Sequence, residues 1–148
     1  MNRKPFASLD IPVLDQQHEE VFDVIDRLYK GIAANEGWLS TYATLERFQD
    51  LVAVHFGIEE NLMQLHGSLD LQTHIREHRE FSVLLLEMLS QSLKKPISTI
   101  AVAFIQDWWI KHIAELDTRY AGSFASHSSL EMGRSTTAPP AFQDGAGI

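Results

Sequence analysis

Two pairs of metal-capable side chains constrain this chain more than any other feature. His55 and Glu59 stand four residues apart, and so do His74 and His78. That spacing stacks two side chains on one face of a helix. A single such pair is common. Two in succession, with His18 upstream and His112 with Asp117 downstream, imply a metal site built between helices.

The apolar periodicity supplies those helices. His18, Val21, Phe22, Ile25, Leu28 and Ile32 recur every three or four residues, behind Asp15 as a cap, and Asn35-Glu36-Gly37 ends the run. Ser40 or Thr41 caps a second stripe of Leu45, Phe48, Val52, His55, Glu59, Leu62 and His66, which Gly67 stops. Asp70 opens a third, through Leu71, His74, His78, Phe81, Leu85 and Met88, ended by Lys94-Lys95. Pro96 suits the first turn of a fourth, with Ile97, Ala101, Phe104, Trp108, His112 and Leu116 on one face. Met1 to Leu14, with Pro5 and Pro12, reads as an extended arm anchored by Phe6, Leu9 and Val13. The expected fold is all-α: an up-down-up-down four-helix bundle over 1–122, with an extended N-terminal arm and a flexible C-terminal tail at 123–148.

Composition narrows the chemistry. There is no cysteine, so thiolate sites and iron–sulfur clusters are excluded and any metal is held by nitrogen and oxygen. A net charge of -8 argues against nucleic acid and anionic membrane surfaces as partners. The most apolar run, Ile97 to Ile110, is interrupted by Ser98, Thr99, Gln106 and Asp107 and falls short of the roughly 20 residues a membrane span needs. The N-terminus has no signal-peptide pattern. A cytoplasmic protein, monomeric rather than oligomeric, is expected.

Histidine or glutamate on a core-facing stripe must be hydrogen-bonded or metal-bound, because burying it unpaired costs several kcal/mol. The candidates are His18, His55, Glu59, His74, His78, His112 and Asp117, five imidazoles and two carboxylates. Seven ligands exceed what one tetrahedral or octahedral ion takes, so two ions are expected. If each carboxylate bridges and one solvent oxygen is shared, two octahedral ions lack one ligand. That empty position falls on the ion with only two histidines, where a small molecule such as dioxygen could bind. Asp117 fits least well: five residues after His112, it stands about 140° away around an ideal helix. It reaches the site only through a local distortion or a side chain that swings across.

The same residues carry a family resemblance. Asp15-Gln16-Gln17-His18, His55-Phe56 with Glu59-Glu60 and Met63, His74 and His78 before Phe81, then Trp108, His112-Ile113, Asp117 and Tyr120 resemble a single-domain bacteriohemerythrin of the hemerythrin family, over roughly Phe6 to Tyr120. The resemblance implies a non-heme di-iron cofactor with an oxo or hydroxo bridge. His74, His78 and His112 would hold one iron, His18 and His55 the other, and Glu59 and Asp117 would bridge them. Dioxygen would bind at the two-histidine iron. Two departures from the family pattern stand out: Phe6 where the arm commonly carries tryptophan, and His66-Gly67-Ser68-Leu69 where a Gly-Tyr-Pro-like turn is usual.

The implied function is reversible dioxygen binding for carriage, storage or delivery to an oxygen-consuming enzyme, without catalysis. The alternatives are an oxygen or redox sensor, or a di-iron enzyme with weak peroxidase or nitric-oxide activity. Against the enzyme, no glutamate has a histidine three residues later, as the carboxylate-rich di-iron bundles do. Phe56, Ile110 and Ile113 flank ligands and are candidates for an apolar wall around dioxygen; Trp108 or Trp109 could share that role. His66 reads as a helix C-terminal cation, His127 as solvated, and Glu60, Glu77 and Glu115 as surface charge.

Overall fold

A computed structural model describes residues 4–124. The expectations for the tail beyond 124, including His127, lie outside the described residues. Four helices form the bundle: α1 (Pro12–Ala33), α2 (Trp38–Leu65), α3 (Leu71–Ser92) and α4 (Thr99–His112). A π-helical segment, Ile113–Asp117, continues α4 without a break, and helix then runs over 118–124. α1 packs on α2 and α4, and α2 on α3.

Helix ends show where local chemistry decided the chain's path. Asn35 follows α1 with a left-handed φ of 54°, and the Asn35 and Glu36 amides donate to Ile32 and Gly31. Gly67 repeats this after α2 at φ 63°, where the Ser68 amide returns to Met63. Both are Schellman closures, which satisfy the last carbonyls. Ser98 caps α4 through the Ala101 amide at 3.2 Å.

Three expected starts are corrected. Pro12 is the first residue of α1, where a proline's missing N–H is harmless. Asp15 is no cap; its carboxylate accepts the Leu9 amide at 2.7 Å and the Ser8 hydroxyl at 2.6 Å, tying the arm to the bundle. Gly37, not Ser40 or Thr41, is the residue before α2, because Ser40 donates instead to Glu36 at 2.6 Å. Pro96 precedes the α4 cap rather than occupying the first turn. In the arm, Phe6 stacks on Phe22 with ring centres 5.0 Å apart and Leu9 is buried, but Val13 is 44% exposed and anchors nothing.

The stripes of α1, α2 and α3 face the core as read, with Leu45, Phe48, Val52, Phe81 and Leu85 buried. That of α4 is turned by one residue. Val102, Ile105, Trp109 and His112 are buried, whereas Phe104 is 55% exposed. Adjacent apolar pairs such as Phe104-Ile105 and Trp108-Trp109 fit either register, so periodicity alone could not choose. Among the described residues, no helix is long and apolar enough to cross a membrane.

Candidate metal centre

Asp117 enters the core through the π-helical segment. A π-helix closes i→i+5 hydrogen bonds and so brings residues five apart into line. Here the Thr118 amide and hydroxyl both donate to the Ile113 carbonyl, the latter at 2.8 Å. The extra residue in the turn removes the misalignment, and Asp117 Oδ1 lies 3.0 Å from His112 Nε2.

All seven candidate residues converge between the four helices, each buried. Asp117 Oδ1 also lies 3.2 Å from His74 Nε2, while its Oδ2 faces His18 Nε2 at 3.2 Å. Glu59 Oε2 is 3.5 Å from His55 Nε2 and 3.4 Å from His78 Nε2; its Oε1 is 3.5 Å from His74 Nε2. Ligand-capable atoms of Glu59, His74, His112 and Asp117 all lie within 4.8 Å of one another, as do those of His18, His55 and Asp117. The two sets share Asp117.

Hydrogen bonds on the outer edges settle how three rings face inward. His78 Nδ1 donates to Glu60 at 2.7 Å, His112 Nδ1 to Glu77 at 3.2 Å, and His55 Nδ1 to the Gln17 oxygen at 2.9 Å. With Nδ1 protonated, the neutral ring turns a bare Nε2 lone pair toward the centre. The His78 and His112 Nε2 atoms stand 3.2 Å apart, a contact that needs a proton or a cation. Neither His55 Nε2 nor either Glu59 oxygen has a hydrogen-bond partner among the described residues, and His18 Nε2 and Asp117 Oδ2 are close but not aligned. Buried orphans of this kind cost about 1–3 kcal/mol each, more for charged groups. A pair of cations fits the donor set and satisfies it.

The electrostatics agree. Burial pushes His55 down to about 4, keeping it neutral. Burial also opposes charge on His74, but the Asp117 and Glu59 carboxylates overcome it and lift His74 to about 10. His112 is raised against burial by Asp117 in the same way. Despite burial, facing histidines hold Glu59 below its ordinary value and Asp117 well below. In the metal-free chain, protons supply the positive charge that these carboxylates require.

An aromatic wall encloses the cluster. Phe56 lies flat on His78 at 3.8 Å with 5° between planes, and Trp108 lies on His112 at 4.5 Å and 11°. Trp109, fully buried, approaches both His55 and His18, at 5.4 and 6.3 Å. Ile113 is buried and Ile110 only partly so. Tyr120 is buried beside His74, and burial with the Glu59 charge pushes its phenol up to about 12. His66 lies apart, at the α2 C-terminus, edge-on to Phe124 at 4.2 Å.

Sequence reasoning missed the outer partners. Glu60 and Glu77 are corrected from surface charge to acceptors that fix His78 and His112, and Gln17 does the same for His55. Each bond crosses from one helix to another, so no spacing along the chain announces it. Glu115 remains exposed.

The hemerythrin HHE cation binding domain family matches residues 9–122. Myohemerythrin of Theromyzon tessulatum is 30% identical over 109 residues, 74% of this chain and 81% of that protein. Bacteriohemerythrin of Methylococcus capsulatus is 27% identical over 108 residues, 72% of this chain and 82% of that protein. A crystal structure of wild-type hemerythrin superposes with a TM-score of 0.72 at 25% identity, covering 77% of this chain and 88% of that one.

Proposed function

Because the chain belongs to the hemerythrin HHE cation-binding family, we propose that it binds dioxygen reversibly at a non-heme di-iron centre. His74, His78 and His112 would hold one iron and His18 and His55 the other, with Glu59 and Asp117 bridging. The observation that carries this reading is the inward set of imidazole Nε2 atoms around the buried Glu59 and Asp117 carboxylates, three of whose four oxygens have no hydrogen-bond partner among the described residues. A ferrous pair held there would supply the electrons that reversible dioxygen binding requires.

The chain's own residues do the rest. Two carboxylates offset half of the charge of a ferrous pair, and the neutral histidines leave the centre less electron-rich than a carboxylate-dominated one, which suits binding over oxygen activation. Gln17, Glu60 and Glu77 hold three rings in orientation. Phe56, Trp109 and Ile113, all buried, exclude water and protons from the centre; Ile110 contributes from its edge. We further propose that the protein is a carrier or local store rather than a catalyst, that it works in the cytoplasm as a monomer, and that it delivers oxygen to an oxygen-consuming enzyme.

Metal analysis and visible spectroscopy test this reading together. About two irons per chain are expected, with a charge-transfer band that appears on exposing the reduced protein to air and vanishes under vacuum. Irreversible oxidation without that band would overturn the carrier and favour an enzyme or redox sensor.

A further inference from the structure

The outer hydrogen bonds are not distributed evenly. Around His74, His78 and His112, two rings donate to carboxylates: His78 to Glu60 at 2.7 Å and His112 to Glu77 at 3.2 Å. Around His18 and His55, the one outer partner is the neutral amide of Gln17, 2.9 Å from His55. Each set also contains one ring whose buried Nδ1 has no hydrogen-bond partner among the described residues, His74 in the first and His18 in the second. Those two cancel. Besides the third histidine, what remains among the described residues is two anionic acceptors on one side and none on the other.

An anionic acceptor on Nδ1–H does more than fix a ring. It pulls on the proton, makes the imidazole a stronger donor through Nε2, and raises its affinity for a metal ion. A neutral amide orients equally well but pulls less. The carboxylates of Glu60 and Glu77 are 31% and 38% exposed, so solvent screens their direct Coulomb attraction to an ion. The effect passed through the imidazole is local and survives that screening.

From this asymmetry we propose that Gln17, Glu60 and Glu77 are positioning residues that widen the difference between the two metal positions beyond what three histidines against two already sets. The position facing His74, His78 and His112 takes up a divalent ion first and holds it more tightly. The proposal rests on the two-metal reading above and adds an order of loading to it. A purely orienting role predicts something different, since glutamine in place of Glu60 or Glu77 keeps an acceptor at the same atom and changes only its charge.

The test is a chelator-competition titration of the metal-free, full-length protein with Co2+, followed by its visible absorption and repeated with Zn2+. Wild type is expected to bind two ions in two unequal steps. Glu77→Gln and, separately, Glu60→Gln should weaken the first step by roughly 10-fold, the lower end of what outer partners contribute, and leave the second nearly unchanged. Gln17→Glu should tighten the second step by a similar factor and narrow the gap. Circular dichroism of each metal-free variant confirms the fold, and Gln17→Glu, which is scored by a gain, cannot succeed through misfolding. Equal steps in wild type, equal weakening of both steps by the Glu→Gln variants, or an unchanged second step in Gln17→Glu would each overturn the proposal. Binding of fewer than two ions by wild type would instead defeat the two-metal reading itself.

Discussion

His112 and Asp117 are five residues apart in the chain, yet His112 Nε2 and Asp117 Oδ1 stand 3.0 Å from each other in the core. An unbroken α-helix would hold them about 140° apart. The π-helical turn Ile113–Asp117 is what closes the site, and it ties the backbone of one helix to the chemistry of the centre. Asp117 is also the one residue common to both groups of ligand-capable atoms.

Asp117→Ala should therefore affect both metal positions. We expect the purified variant to retain fewer than two irons per chain while keeping its helical content. Metal analysis alongside far-ultraviolet circular dichroism checks this. A variant that still holds two irons would remove Asp117 from the bridging role.

Trp109 is fully buried and lies against His18, His55 and Phe56. Trp109→Ala removes a large ring from a packed core, a change that costs about 3–5 kcal/mol. Thermal unfolding of the metal-free variant should show a Tm lower by roughly 10–20 °C. A shift too small to measure would mean that the surrounding rings collapse into the space.

Ile113 is buried one residue after His112 and Phe56 lies flat on His78. Both should shield the bound ligand from water. Ile113→Ala and Phe56→Leu are expected to speed autoxidation of the oxygenated protein several-fold, followed as loss of its visible band in air. An unchanged rate for either would strike that residue from the wall.

The metal-free chain should respond to pH in both directions. His55 is held near 4 when folded by burial, against about 6.5 when unfolded. The unfolded chain therefore takes up that proton first, and stability falls as pH drops from 6.5 toward 4. His74 behaves oppositely: burial opposes its charge, but Asp117 and Glu59 raise it to about 10. Its contribution is fully present below 6.5 and is lost as pH rises through 10. Bound metal takes the place of the His74 proton, so the alkaline loss should shrink in the loaded protein. Unfolding temperatures at pH 6.5 and pH 9.5, with and without metal, measure this. Equal alkaline losses in both forms would contradict it.

Much of the molecule was legible in the chain because helices are local. The 3.6-residue period, Gly67 in its left-handed turn and Asp70 at the start of α3 all follow from neighbours in sequence. His55 with Glu59 and His74 with His78 share a helix face, so each pair could be assigned to the core before any packing was known. Arithmetic on donors then gave two ions. What the sequence by itself determined was thus the helices and the inventory of ligands.

The tertiary structure decided the rest, and the reason is that those relationships lie between helices or depend on a rare backbone. The register of α4 was open, because adjacent apolar residues fit two faces equally well; packing of Trp109 against the histidines of α1 and α2 chose one. The approach of Asp117 needed a π-helical turn, which carries no reliable local signal. Gln17, Glu60 and Glu77 each reach a histidine on another helix, so only the assembled bundle makes them partners that aim the site inward.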